Sequence, residues 1–263
     1  MAVSFVSIDV GYTNMGVCAG RFLPEKKHFP FCIEHWELLD LETVQLKEAT
    51  EAVHQMFEER SFLSDNYDWV LIENQIDDIL GYTSKQDGAV GGALYKVGRM
   101  KALGAAIHSY FYGRRCWRRE NKAAHIAYIS ARGKLKVYQG NAPIHIPAKK
   151  TRREHNKEVA RAHMKAMLAE AMQQGDLEQE TGERMLTWFN SLRNKRGVVK
   201  NDDVADAFLQ AAYWCINKTR WRGGDGTDEV DVSAEMEEEE VERASRFLQG
   251  PMNEQEFAFD FSS

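Results

Sequence analysis

Acidic residues lie at three places in the sequence where a charge is unexpected or where several charges crowd together. Asp9 ends an apolar run that begins at Val3, and Glu73 ends the nearly all-apolar run from Trp69 to Ile72. A third group opens a helical stretch with the residues Asp202, Asp203, Val204, Ala205 and Asp206. Side chains three or four residues apart share one face of a helix. Either Asp203 or Asp202 can therefore reach the same point as Asp206.

These carboxylates predict a divalent-metal site that cuts nucleic-acid phosphodiesters. Mg²⁺ prefers hard oxygen ligands, and two such ions about 4 Å apart can stabilise both the attacking and the leaving oxygen of a phosphoryl displacement. Each acid alone has a simpler interpretation, because acids before glycine turns are common and acids at a helix start favour the helix dipole. The set favours a metal site, since Asp9 and Glu73 both end very hydrophobic strands and clustered carboxylates need a cation.

The elements that must position these acids follow from the hydrophobic pattern. Strands are predicted at residues 3–9, 15–22, 31–39, 68–73 and 124–130. Helices are predicted from an N-cap at Asp40 or Thr43 to about Arg60, and then at residues 86–112, 154–172, 177–192 and 202–216. The order β-β-β-α-β-α-β-α, in which the last α stands for three successive helices, indicates an α/β fold, a mixed five-stranded sheet with helices on both faces.

The net charge of −6 hides three regions of opposite sign. Residues 1–113 sum to −7, residues 114–200 to +12 and residues 201–263 to −11. A localised basic block in an acidic protein predicts a surface for DNA or RNA. The chain is expected to form a catalytic domain at residues 1–222, with a basic helical insertion at about 140–200, followed by an acidic and mostly disordered tail at 223–263.

Three motifs resemble the RuvC-type Holliday junction resolvases, closest to their poxvirus and fungal mitochondrial branch. They are SIDVGYTNMG from Ser7, VLIENQ from Val70 and KNDDVADA from Lys200. Together, in this order across about residues 3–216, they are much more specific than any one alone. The resemblance implies a ribonuclease H-like fold, a homodimer, and Mg²⁺-dependent paired nicking of four-way DNA junctions, with Mn²⁺ as a substitute metal.

The resemblance also implies a role for each acid. Asp9 and Glu73 match the first two metal-binding acids, and Asp203 and Asp206 match the pair on the helix. Asp202 is then expected beside the ligands, although it stays an alternative ligand. The family tends to place a basic residue near the scissile phosphate after the fifth strand, where Lys134 is preferred and Lys136 is the alternative. A lysine that only contacts the DNA backbone fits the same position.

The basic block holds the residues expected to contact DNA phosphates, which are Arg114, Arg115, Arg118, Arg119, Lys136, Lys149, Lys150, Arg152 and Arg153. Phosphate contacts give salt-dependent affinity without reading sequence, which suits recognition of junction shape. Trp117 could stack on an exposed base at a branch point, or anchor the end of its helix in a core. The same clusters also resemble localisation signals.

The acidic tail is most simply solubilising. Two alternatives are that it competes with DNA for the basic block, or that Phe257, Phe259 and Phe261 dock on a protein partner in replication. The chain shows no secretion or mitochondrial signal and no apolar run long enough for a membrane span. We therefore expect a soluble intracellular protein, in the cytoplasm (a viral factory) or the nucleus. The scattered Cys18, Cys32, Cys116 and Cys215 indicate neither a zinc site nor a disulfide framework.

Three other functions remain open at the level of sequence. A ribonuclease H or another branched-DNA nuclease would share the acids and differ in substrate. The segment from Ile8 to Asn14 also resembles the phosphate loop of actin-like ATPases and sugar kinases, but the chain has no second copy of that loop. A catalytically inactive junction-binding protein is disfavoured by the intact acids.

Overall fold

The computed structural model describes residues 2–26, 29–41, 45–65, 67–74, 90–117, 125–130, 134–137, 151–194 and 197–222. Residues 223–263, the predicted acidic tail, lie outside this part of the chain. The first compact unit of the chain ends at Thr219, and of the residues after it only 220–222, the end of a helix, are described. The division after residue 222 stays a prediction. Among the described residues, no helix is both long and apolar enough to cross a membrane.

Five strands form one mixed sheet in the described part of the chain. They are β1 (Val3–Val10), β2 (Asn14–Phe22), β3 (Phe31–Asp40), β4 (Trp69–Asn74) and β5 (His125–Ser130), in the order β3-β2-β1-β4-β5. β2 pairs antiparallel with both β1 and β3, whereas β4 pairs parallel with both β1 and β5. The structure thus contains the mixed five-stranded sheet that was predicted for a ribonuclease H-like fold. β1 is the middle strand and β4 lies beside it, so both have a neighbouring strand on each side.

The described helices are α1 (Ala49–Glu58), α2 (Val90–Trp117), α3 (Arg152–Gln173), α4 (Gln179–Ser191) and α5 (Asn201–Arg222). Each corresponds to a predicted helix. The predicted N-cap at Asp40 is wrong, because this residue ends β3 and is paired with Asn14. A short 3-10 turn, Leu46–Glu48, leads into α1 instead, and Thr43 lies outside the described residues.

Helices cover both faces of the sheet because the side chains of each strand alternate between two cores. Val6, Ile8 and Val10 of β1 point into a core shared with α1 and α2. Phe5 of the same strand points into a second core, which it shares with α3, α4 and α5. The predicted arrangement of helices on both faces is therefore confirmed, and Asp9 shares the face of Phe5.

The long helix α3 begins with a reciprocal cap that explains its start. The Thr151 side chain accepts a hydrogen bond from the Glu154 backbone N–H, and the Glu154 carboxylate accepts one from the Thr151 backbone. Apolar Ala160, Met164 and Leu168 then line one face and pack into the second core. This helix lies in the predicted basic insertion and packs on the same side of the sheet as α5.

Candidate active site

Asp9 and Glu73 stand side by side on the two central strands. β1 and β4 are parallel, and Ile8 is paired with Ile72, so the next residue on each strand is one of these two acids. Both side chains share the face of Phe5 and Leu71, which is the face covered by α5. Each residue is only 7% exposed. The predicted convergence of the first two acids is present.

The start of α5 is held against the edge of this pair by two contacts with β2 and β3. Gly16 is paired with Asp9 across the β1–β2 ladder. A β-carbon at Gly16 would overlap the backbone carbonyl of Asp203, so the absence of a side chain there lets the helix approach the strand. The Trp36 indole N–H donates to the carbonyl of Val204 at 2.8 Å. These contacts place the first turn of α5 beside Asp9.

The ammonium of Lys134 lies among three of the predicted acids. Its Nζ is 2.8 Å from Asp206 Oδ2, 3.2 Å from Glu73 Oε1 and 4.0 Å from Asp9 Oδ1. The lysine side chain is 12% exposed, so little water screens these contacts. Lys134 comes from a 3-10 turn, Lys134–Lys136, that follows β5. Lys136 in the same turn is exposed, which favours Lys134 as the lysine of the site.

Burial and charge shift the pKa values of these groups in a consistent pattern. Burial alone would lower the pKa of Lys134, but the nearby Glu73 and Asp206 carboxylates outweigh it and raise that pKa. Burial raises the pKa of Asp206, and Lys134 partly opposes this. Burial, with the neighbouring Asp202 charge, raises the pKa of Asp203 to about 6. Ionisation of Asp203 and Asp206 is therefore disfavoured relative to an ordinary carboxyl group, whereas the protonated form of Lys134 is favoured.

Asp203 and Asp202 have different partners although they are adjacent. Asp203 Oδ2 is 3.5 Å from Lys200 Nζ, and its side chain is 14% exposed. Asp202 is 2% exposed and is ion-paired with Lys157 and with Arg161 of α3, whose Nη2 lies 3.4 Å from Asp202 Oδ1. Asp202 therefore bonds towards α3, while Asp206 on the same helix bonds to Lys134. This arrangement favours Asp203 over Asp202 as the fourth ligand.

The donor set fits a divalent metal in its chemistry. Three carboxylates surround the ammonium of Lys134, and carboxylate oxygens are the ligands that Mg²⁺ prefers. As the side chains lie, no three Asp, Glu, His or Cys residues in the described ranges stand close enough together to hold a metal ion. Lys134 is the cation that lies between the carboxylates. Metal binding would thus require these side chains to draw together and the ammonium to shift.

The residues predicted to contact DNA are only partly described. Arg114 Nη1 lies 2.5 Å from Glu58 and 3.0 Å from the Tyr110 hydroxyl. Arg115 and Trp117 lie in the last turns of α2, and Arg152 and Arg153 begin α3, but their side chains are not described. Arg118, Arg119, Lys149 and Lys150 lie outside the described residues. DNA contact by this set stays a prediction.

Sequence reasoning missed five residues that shape the site, namely Gly16, Trp36, Lys157, Arg161 and Lys200. Lys200 lies two residues before the acidic group, so its proximity could have been inferred. Lys157 and Arg161 are four residues apart and share one face of α3. That spacing marks a basic stripe but does not reveal a partner more than forty residues later in the chain.

No protein-family model matches this chain, and no curated protein does. Two solved structures of RuvC from Thermus thermophilus are similar to it. The first, determined in complex with a Holliday junction substrate, has 15% identity and a TM-score of 0.42, over 82% of this chain and 97% of that chain. The second has 16% identity and a TM-score of 0.41 over the same shares. At this level the likeness does not establish a common function.

Proposed function

We propose that this chain is a Holliday junction resolvase, a Mg²⁺-dependent endodeoxyribonuclease that makes paired nicks in four-way DNA junctions. The observation that supports it most is the convergence of Asp9, Glu73 and Asp206 on the ammonium of Lys134. Two buried acids on strand ends and a half-buried acid at a helix start are hard to explain by stability. Burying like charges together costs free energy, so such a cluster is expected where the charges bind a cation or take part in a reaction.

Each group has a distinct role in this proposal. Asp9, Glu73, Asp203 and Asp206 would hold the metal. When bound, Mg²⁺ supplies an activated water and stabilises charge on the leaving oxygen. The ammonium of Lys134 would move from the carboxylates to the scissile phosphate, where a positive charge stabilises negative charge that develops during cleavage. Asp9 and Glu73 are buried on neighbouring strands at the middle of the sheet, so a movement of their side chains alone would bring their oxygens to a shared metal.

Recognition of the substrate is assigned to the basic block between residues 114 and 200. Its charge of +12 would bind the phosphates of branched DNA without reading the sequence. Paired nicks at a junction require two active sites, so the proposal includes a homodimer. The poxvirus and fungal mitochondrial branch is supported by the three motifs alone.

Cleavage specificity tests the proposal directly. The purified full-length chain is incubated with Mg²⁺ and a four-way junction, a duplex, a flap or an RNA–DNA hybrid. The variants are Asp9→Asn and Asp206→Asn, with Asp65→Asn, an exposed acid elsewhere, as the matched control. Symmetric nicks on the junction alone are expected. We expect the cleavage rate of both site variants to fall by more than the roughly 10–100-fold decrease that follows loss of a supporting residue. The control should cleave at the wild-type rate.

Other outcomes separate the competing functions. Preferential cutting of the hybrid would identify a ribonuclease H, and cutting of flaps as fast as junctions a general branched-DNA nuclease. Tight junction binding without cleavage would identify an inactive binding protein. ATP hydrolysis without cleavage would favour the ATPase. Site variants as active as the wild type would contradict the proposed site whatever the substrate.

The role of the acidic tail is a separate part of the proposal. If residues 225–263 compete with DNA for the basic block, their deletion will tighten junction binding at low salt, because charge competition is strongest where screening is weakest. Unchanged affinity would exclude competition and leave a protein partner for Phe257, Phe259 and Phe261 as the remaining specific role.

A further inference from the structure

Asp202 is buried between two cations of a different helix. Its side chain is 2% exposed and is ion-paired with both Lys157 and Arg161, which lie one turn apart on α3. Arg161 also bonds Glu158 Oε1 at 2.9 Å, so its guanidinium is fixed on two sides. The cluster therefore ties the middle of α3 to the first turn of α5, immediately beside the acids of the site.

We propose that Lys157 and Arg161 are positioning residues that, through Asp202, set the rotation of the first turn of α5 and thereby direct Asp203 and Asp206 towards Asp9 and Glu73. The inference rests on the proposed function and adds to it two residues of α3 that touch neither substrate nor metal. They act on the site only by holding the residue next to a ligand.

Helix geometry makes this rotation consequential. Successive residues of an α-helix are about 100° apart around its axis, since a turn contains 3.6 residues. A rotation by one residue would turn Asp202 towards the other acids and move Asp203 away. The pairing of Asp202 with α3 excludes that arrangement, because two cations would be left without their carboxylate. Asp203 and Asp206, three residues apart, then share the face that meets Lys134.

Stability alone gives a poor account of the cluster. The helices α3 and α5 already pack through an apolar core that includes Ala160, Met164 and Phe208. Replacing a buried ion cluster with apolar residues is often neutral or stabilising, because charges lose their hydration on burial. Ion clusters do fix one arrangement among several alternatives. In this protein the ion cluster would fix the orientation of the acidic first turn of α5. Loss of a residue that supports metal ligands in this way typically lowers metal affinity or activity by about 10–100-fold.

The test combines metal affinity with kinetics on the full-length protein. Lys157→Met removes one cation and keeps most of the side-chain volume, and Lys157→Arg restores a cation. Lys165→Met, an exposed lysine of the same helix, is the matched control. Mn²⁺ affinity is measured by calorimetry, kcat and KM are measured on a four-way junction, and the melting temperature is recorded for each variant.

We expect Lys157→Met to weaken Mn²⁺ binding and to lower kcat, each by about tenfold, with KM for the junction within about twofold of the wild type. Lys157→Arg should recover most of both losses, and Lys165→Met should show neither. A folded Lys157→Met protein with wild-type Mn²⁺ affinity and kcat would overturn the proposal, even if its melting temperature fell, because the cluster would then be structural only.

A second variant keeps the test decisive if Lys157→Met does not fold. Asp202→Asn has nearly the same shape and removes the charge that both cations hold, so the same losses of metal affinity and kcat are expected from it. Wild-type values in folded Asp202→Asn would also overturn the proposal. If the wild-type protein binds Mn²⁺ but cuts no junction, the proposed function fails, while the comparison of metal affinities still decides the role of Lys157.

Discussion

Removing the ammonium at the centre of the site should destabilise the metal-free protein and make its stability depend on divalent cations. The Nζ of Lys134 lies 2.8 Å from Asp206, 3.2 Å from Glu73 and 4.0 Å from Asp9. Lys134→Met keeps the length of the side chain and removes its charge. Three carboxylates that are mostly buried then lack the cation that lies between them, and they repel one another.

The size of the effect follows from the burial of the lysine. Breaking a buried ion pair by removing one partner costs about 3–5 kcal/mol. For a unit of roughly 200 residues, 1 kcal/mol shifts Tm by about 2–4 °C, so the expected fall is roughly 6–20 °C. The loss should be larger at pH 8 than at pH 5. At low pH a proton on Asp206, whose pKa is already raised by burial, can replace part of the lost charge.

Thermal unfolding in EDTA and in Mg²⁺ measures this effect. Mg²⁺ should raise the Tm of Lys134→Met more than that of the wild type, because in the variant it has no ammonium to displace. Lys136→Met, an exposed lysine of the same turn, is the control and should change Tm little in either buffer. Equal losses in both variants, or the same Mg²⁺ response in Lys134→Met and the wild type, would refute the reasoning.

Three other perturbations probe the same site and the basic block. The pKa of Asp203 is raised from 3.8 to about 6, so the folded state loses stability as pH rises between these values. Urea unfolding should therefore show Asp203→Asn to be more stable than the wild type by about 1–3 kcal/mol at pH 8, and similar to it near pH 4. Equal stabilities at pH 8 would contradict this. Gly16→Ala should lower stability by about 1–3 kcal/mol, since its β-carbon meets the carbonyl of Asp203, whereas Gly98→Ala, where a β-carbon meets nothing, should not. Glutamine can also replace four predicted phosphate contacts, Lys149, Lys150, Arg152 and Arg153. The slope of log junction affinity against log salt concentration should then become shallower by up to about 3–4. An unchanged slope would show that these residues do not contact the DNA.

The order of elements and the pairing of the first two acids could be predicted from sequence. Strand alternation and the short apolar run before Glu73 identify β1 and β4, and their carboxyl ends carry an acid each. Parallel strands that are neighbours bring such ends together, so Asp9 and Glu73 could be predicted to meet without knowing the loops. The start of α1 was predicted wrongly because Asp is a common N-cap residue. In the structure Asp40 is instead the last residue of β3, where it pairs with Asn14 of β2 and cannot begin a helix.

The placement of Lys134 could be expected only as one of two lysines in the same turn. Lys134 and Lys136 have the same chemistry and differ by two positions, so no composition or periodicity separates them. The structure separates them by burial, since one is 12% exposed among the carboxylates and the other is exposed. The contact depends on how the turn after β5 folds back over the sheet, which is a tertiary property.

The choice between Asp202 and Asp203 shows most clearly what a sequence pattern leaves undetermined. Both lie within helical reach of Asp206, so spacing permits either as a ligand. The choice is made by cations on another helix, where Lys157 and Arg161 bind Asp202. Those cations stand within the basic insertion that is expected to bind DNA, so the segment proposed to recognise substrate is also the one proposed to order the acidic turn. Loss of Lys157 should therefore lower kcat while the KM for the junction stays nearly unchanged, whereas the loss of a phosphate contact remote from the site should weaken junction binding instead.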